Sequence, residues 1–305
     1  MSRARDAAFF CTLAVVWGLS FPAIAVGLEY LPPLVFAALR YDVAAVLLLA
    51  YAVVRVDAWR PAARGDVVAI VGGGVFLVAG NGLLFVGQQT VPSGVAAVLQ
   101  ALVPVVTAVW AFVLLGEGLS SRGLAGVAVA FVGVSLVIQP DPSNLLGGDT
   151  AGRVVIVGQV VSVALGGVIV QRANASLARV PLTGWAMAVG AVVLHVVSVG
   201  IGERPSSSLA LDPTAVAAVV YLGVFSTALA FLIYFTILAE YGAFEAALVS
   251  YAVPVVATLV GVVVLGETMS ALTVLGFGLV LVGFVLLKRE AVDDLLGTAT
   301  NVVRP

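Results

Sequence analysis

Residues 103–117 read Val-Pro-Val-Val-Thr-Ala-Val-Trp-Ala-Phe-Val-Leu-Leu-Gly-Glu, and residues 253–267 read Val-Pro-Val-Val-Ala-Thr-Leu-Val-Gly-Val-Val-Val-Leu-Gly-Glu. Adding 150 to a position carries Pro104 onto Pro254 and Leu115-Gly116-Glu117 onto Leu265-Gly266-Glu267. Ser120, Gly126, Val132, Gly133 and Leu136 fall on the same residue types at Ser270, Gly276, Val282, Gly283 and Leu286. A proline, a Gly-Glu pair and several glycines held in register without a gap mark a duplicated unit, since apolar composition alone does not fix such spacing.

Composition says where that unit lives. Of the 305 residues 62% are hydrophobic and 10% charged, with mean hydropathy +1.20, so a water-soluble fold has nowhere to hide the apolar surface. The apolar runs are continuous rather than alternating, which in hydrocarbon selects helices. About ten spans can be drawn: 7–26, 34–54, 67–87, 92–115, 121–139, 154–171, 181–201, 214–238, 243–265 and 270–288. The division expected is a first five-helix repeat over 1–139, an extracytoplasmic connection over 140–152, a second repeat over 153–289 and a polar tail over 290–305. The first run follows Arg3 and Arg5 but is as long as a full span, which argues against a cleaved signal peptide. Cys11, the only cysteine, is expected to be a packing residue.

Basic residues set the orientation. With a cytoplasmic N-terminus, Arg3, Arg5, Arg55, Arg60, Arg64, Arg122, Arg172, Arg179, Lys288, Arg289 and Arg304 are inside, Arg153 and Arg204 outside, and Arg40 within a span. Both termini are therefore expected to be cytoplasmic in a multi-pass cell-membrane protein. Five spans per copy is an odd number, so the second copy must be inverted, an arrangement that places a cargo site near the bilayer midplane between the halves.

The polar residues within spans nominate the site. Gln100 shares a stripe with Ser93 and Thr107, and its counterpart by repeat is Ser250. Each precedes its proline by one turn, over the carbonyl that the proline leaves unpaired, which makes Pro104 and Pro254 candidate helix breaks. Asn81, Phe85 and Gln88 share a face of the third span; Trp17 and Ser20 lie in the first, Gln159 and Ser162 in the sixth, Thr227 and Tyr234 in the eighth. Together they describe an uncharged, aromatic-lined cavity for a neutral or zwitterionic cargo. Arg40 and Asp42 are expected to form a neighbouring pair in the second span, and His195 is a proton-coupling candidate or a histidine bonded between helices. Glu117 and Glu267 are expected to cap the helix that follows each of them. The small-residue faces at Gly123, Gly126, Ala130 and Gly133, and at Gly276 and Gly283, are expected to pack within a copy or against a second chain in a homodimer.

The Trp17-Gly18-Leu19-Ser20-Phe21 start, Arg40 early in the second span, and the twice-used Pro then Leu-Gly-Glu pattern resemble the EamA family of the drug/metabolite transporter superfamily. The start motif has no good match in the second copy, where Ala164-Leu165-Gly166-Gly167 stands. The resemblance implies a five-plus-five inverted bundle. It implies a pathway lined by the first, third, fourth, sixth, eighth and ninth spans and a small-metabolite cargo, often an amino acid. No cofactor, metal or nucleic-acid partner is expected: the sequence has no basic tract, no HExxH and no phosphate-cradling loop. The competing class, a membrane enzyme acting on a lipid or small metabolite, would need clustered aspartates or a serine dyad to His195, and neither signature is present.

Overall fold

The structure is a computed structural model that describes residues 3–118, 120–139, 148–204, 211–240 and 243–287. The expected connection at 140–147 and the tail from residue 288 lie outside these. All described secondary structure is helical. Among the described residues nine helices are long and apolar enough to cross a membrane, and a tenth, Ala271–Leu287, is shorter and apolar.

The first span is Arg3–Gly27, the second Pro33–Arg55, the fifth Ser121–Ile138, the sixth Gly148–Arg172, the seventh Arg179–Gly200, the ninth Ala243–Leu265 and the tenth Ala271–Leu287. The sixth begins inside the stretch read as connection. Arg153 explains this start, since its guanidinium accompanies Asp149 on the first turn while Nη1 donates to Val137 O at 2.6 Å, tying the new helix to the end of the fifth. Cys11 is exposed, so it is not the packing residue expected from its type.

Three spans are interrupted. The fourth is Ser93–Gln100, a turn at Ala101 and Leu102, then Val103–Leu115 with Pro104 in the first turn of the new helix, where proline is well tolerated. The third runs Arg64–Gly72, then a π-helical segment Gly73–Ala79, then Gly82–Gly87. The eighth runs Pro213–Val220, a π-helical segment Tyr221–Leu229 and Ala230–Glu240. Adding 150 carries the first π segment inside the second. The widened turn is thus part of the duplicated unit.

The inversion is visible at the fifth and tenth spans. A Cβ on Gly126 would lie 2.5 Å from Gly283 O, and one on Gly283 would lie 2.5 Å from Gly126 O; Gly133 and Gly276 face each other with the same reciprocal distance. Partner numbers fall as residue numbers rise, so the helices are antiparallel. Exchanging the halves maps the pair Gly126 and Gly283 onto the pair Gly276 and Gly133, as a two-fold axis between inverted copies requires. The small faces therefore join the two copies of one chain, which is neither the packing within a copy nor the contact with a second chain that the sequence led us to expect.

Both Leu-Gly-Glu turns take the left-handed conformation at glycine, with φ of +70° at Gly116 and +67° at Gly266. Their glutamates do not cap the next helix. Ser120 Oγ accepts from Gly123 N and Ser270 Oγ from Thr273 N, so those helix starts are already served. Glu267 instead reaches the start of the fourth span in the other half, accepting from Ser93 N at 2.9 Å, Ser93 Oγ at 2.6 Å and Gly94 N at 3.4 Å. Among the described residues Glu117 accepts from Gln171 Nε2 at 3.3 Å.

Candidate transport site between the halves

The first span contributes an indole whose position follows from the π segment opposite it. Trp17 Nε1 donates to Ser226 O at 3.1 Å, and Ser20 Oγ donates back to Trp17 O at 2.6 Å. The indole packs against Phe231 and Tyr234, with ring centroids 6.1 and 5.6 Å away. Tyr221, from the same π segment as Ser226, donates its hydroxyl to Val16 O at 2.8 Å. The sixth span mirrors this arrangement with different chemistry: Ser162 Oγ donates to Phe76 O at 2.8 Å. Phe76 and Ser226 are equivalent by the 150-residue offset. A π turn opens the helix ladder enough for a carbonyl to take a donor from outside, and in each half the first helix of the opposite half supplies it.

A chain of amides crosses the third span. Gln159 Nε2 donates to Asn81 Oδ1 at 2.8 Å, and Asn81 Nδ2 donates to Tyr41 OH at 2.7 Å, linking sixth, third and second spans. Gln159 is fully buried and its Oε1 makes no hydrogen bond with any described residue. Gln88 Nε2 donates to Phe21 O at 3.1 Å, and its Oε1 is likewise buried and unpaired. Phe85 is buried edge-on against Phe36 at 5.2 Å. Trp17, Asn81, Phe85, Gln88, Gln159, Thr227 and Tyr234 thus make contacts between spans, whereas Ser20 bonds within its own. Gln100 and Ser250 are half-buried, no hydrogen bond joins them, and only the first lies at a helix break. Pro254 lies inside an unbroken ninth span.

The charged residues are distributed differently from the sequence expectation. Arg40 and Asp42 do not pair, because residues two apart on a helix point to different sides. Asp42 Oδ2 bonds His195 Nε2 at 2.7 Å across the second and seventh spans, with both side chains a little under half exposed. His195 joins neither the aromatic cluster nor the amide chain. Arg40 is buried, and its Nε donates to Thr227 Oγ1 at 2.7 Å. That hydroxyl spends its own proton on Leu222 O at 2.7 Å, so the π segment holds Thr227 ready to accept.

Sequence reasoning passed over Tyr41, Tyr221 and Ser226, whose roles depend on long-range partners. It also passed over Asp66, which is buried and takes backbone N–H groups from Ala62, Ala63, Ser176 and Leu177. Glu203 does comparable work for the start of the second span, accepting from Leu34 N at 3.1 Å and Val35 N at 3.0 Å. Asp66, in the first turn of the third span, fastens the connection before it to the connection ahead of the seventh, and Glu203, just after the seventh, holds the start of the second, on opposite sides of the membrane in the orientation expected above.

The EamA-like transporter family model matches residues 6–139 and 150–289, one match per half. The chain is 31% identical to "Uncharacterized inner membrane transporter YedA" of Escherichia coli, over 90% of this chain and 87% of that one. It is 30% identical to "Probable amino-acid metabolite efflux pump" of Salmonella typhimurium, over 93% and 94%. A solved crystal structure shares the fold with a TM-score of 0.62 at 21% identity, over 93% of this chain and 96% of that one.

Proposed function

Because the chain belongs to the EamA-like transporter family, we propose that it moves a small neutral or zwitterionic, amino-acid-like metabolite across the cytoplasmic membrane by alternating access. The multi-pass helical bundle and the relatives named as transporters carry the coarser statement, that this is a membrane transporter. The cargo class rests on one observation: the indole cluster of Trp17, Phe231 and Tyr234 and the Gln159, Asn81 and Tyr41 chain each bridge the two halves, with no carboxylate among them. A permanently cationic cargo would enter low dielectric there without a countercharge, which is costly. Amides, hydroxyls and ring faces suit a neutral or zwitterionic solute. The relative from Salmonella typhimurium, named for amino-acid metabolite efflux, supports the same class.

The test is flux of amino acids, nucleosides and cationic drugs in proteoliposomes holding the purified chain. Saturable movement of one or more neutral amino acids, dependent on a sealed compartment, is the expected result. Efficient transport of a quaternary ammonium compound that survives substitution of Asp42 would overturn the cargo class. Product formation without a compartment would overturn transport in favour of a membrane enzyme. The orientation has its own test. In a Cys11→Ser background, an impermeant maleimide added to intact cells should label Ser143→Cys and spare Ala62→Cys, and labelling of the latter alone would reverse the topology.

A further inference from the structure

Arg40 stands out among the buried groups that the reading above leaves unused. It is 7% exposed, seven residues into the second span from Pro33, and no carboxylate among the described residues lies within ion-pair distance. Its carbon Cζ sits over the Tyr41 ring at 5.2 Å and the Phe85 ring at 5.9 Å. Only Nε is engaged, by Thr227 Oγ1. The remaining N–H groups of the fork make no hydrogen bond with any described residue. Burial of a cation within a span is costly, and such a residue is placed there for a partner. Two aromatic faces and one neutral hydroxyl orient the guanidinium without neutralising it.

We propose that Arg40 is the cargo-carboxylate clamp: held at Nε by Thr227, it presents its terminal nitrogens as a planar fork to the carboxylate of an amino-acid-like cargo. Planar two-point recognition of a carboxylate is what a guanidinium does better than a point charge. The same network offers the complementary function. Tyr41, whose ring faces Arg40, accepts from Asn81, which accepts from Gln159, and the chain ends in the buried, unpaired Gln159 Oε1. That oxygen is an acceptor awaiting an N–H, which the amino group of a zwitterion supplies. The proposal rests on the transport reading and sharpens its cargo from neutral or zwitterionic to carboxylate-bearing.

The experiment compares acids with matched amides. L-leucine, L-threonine and L-phenylalanine are each set beside the corresponding amide, and inorganic phosphate is the anion control, in low-chloride buffer. Thermal stabilisation of the purified protein and flux in proteoliposomes are both measured, for the wild type, Arg40→Lys and Arg40→Gln. In the wild type at least one acid should stabilise and move, while its amide does neither. Arg40→Gln should weaken binding of the acid about 10- to 100-fold, the range expected on losing hydrogen bonds to a charged group, and Arg40→Lys should retain part of it. Acid and amide handled equally by the wild type overturn the clamp and leave transport standing, and this arm needs no variant to fold. Equal stabilisation by phosphate alone overturns it too, as does wild-type affinity for the acid in Arg40→Gln. Acid-specific stabilisation lost in Arg40→Gln, without flux in any vesicle, keeps the clamp and overturns transport. Neither flux nor acid-specific stabilisation overturns both.

Discussion

The seam between the fifth and tenth spans and the pair formed by the fourth and ninth obey the duplication differently. At the seam, Gly126, Gly133, Gly276 and Gly283 make the same reciprocal approach to one another's carbonyls, so the two halves are interchangeable there. In the other pair the equivalent prolines have unlike surroundings. At Pro104 the helix stops, Ala101 N–H splits between Ala97 O and Val98 O, Leu102 N–H closes on Leu99 O, and a new helix starts. At Pro254 it continues from Ala243 to Leu265. A proline removes one bond and adds a clash, but a helix in a membrane tolerates both when neighbours take up the strain. The seam therefore keeps the two halves equivalent, whereas the fourth and ninth spans display two forms of one repeated element, one in each half.

Loss of the seam should have the largest effect. Gly133→Val places side-chain atoms where Gly276 O already lies, and should cost about 3 kcal/mol or more in a detergent melt. Gly276→Val should cost the same within error. A wild-type melting temperature for either would break the reciprocity.

The two turn glutamates should separate next. Glu267→Ala strips Ser93 and Gly94 of their acceptor and should cost about 1–2 kcal/mol, whereas Glu117→Ala, losing the exposed contact to Gln171, should cost less than about 0.5 kcal/mol. Equal penalties would mean that the inner carboxylate has taken the equivalent cap on the ninth span, and the asymmetry would shrink accordingly.

The prolines supply the smallest and most discriminating effect. Pro104→Ala restores a donor to the fourth span and favours its straight form; Pro254→Ala holds the ninth straight as it is here. The labelling rate of Thr258→Cys by an impermeant reagent, in a Cys11→Ser background, should move in opposite directions in the two backgrounds, by a few-fold to about tenfold, since part of the ~3 kcal/mol helix cost of proline is recovered. Shifts of the same sign would show that the two spans do not exchange conformations.

Much of this architecture could be read from residue types, because spacing survives in a sequence. Pro104 and Pro254, the Leu-Gly-Glu turns and the glycine faces each announce themselves by an ungapped offset. Their partners do not. Glu267 looked like a cap for the nearest helix because proximity in the chain is all that a sequence displays; the inverted fold brought the start of the fourth span to it instead. Arg40 and Asp42 looked paired for the same reason, although two steps of a helix turn them apart. Most of the site residues were recognisable as polar groups with no place in hydrocarbon. The assignment of Gln159 to Asn81, of Trp17 to Ser226 and of Arg40 to Thr227 required the tertiary structure. The π segments left no compositional trace, since one surplus residue in a turn changes neither hydropathy nor length enough to notice.

That surplus residue carries a consequence for how the chain tolerates change. A π turn is an α-helix with one residue too many, and its removal lets the ladder close into regular α. Deleting one residue between Gly73 and Ala79 would therefore close the wide turn while the residues beyond it keep their facing. Asn81 and Phe85 would stay on Tyr41 and Phe36, but the carbonyl at position 76 would return to the ladder and Ser162 would lose its acceptor. The same deletion between Tyr221 and Leu229 would leave Phe231 and Tyr234 against Trp17 and withdraw the carbonyl that the indole uses. In these two segments a missing residue should thus spare the packing of the span and remove the spare carbonyl by which each half holds the other.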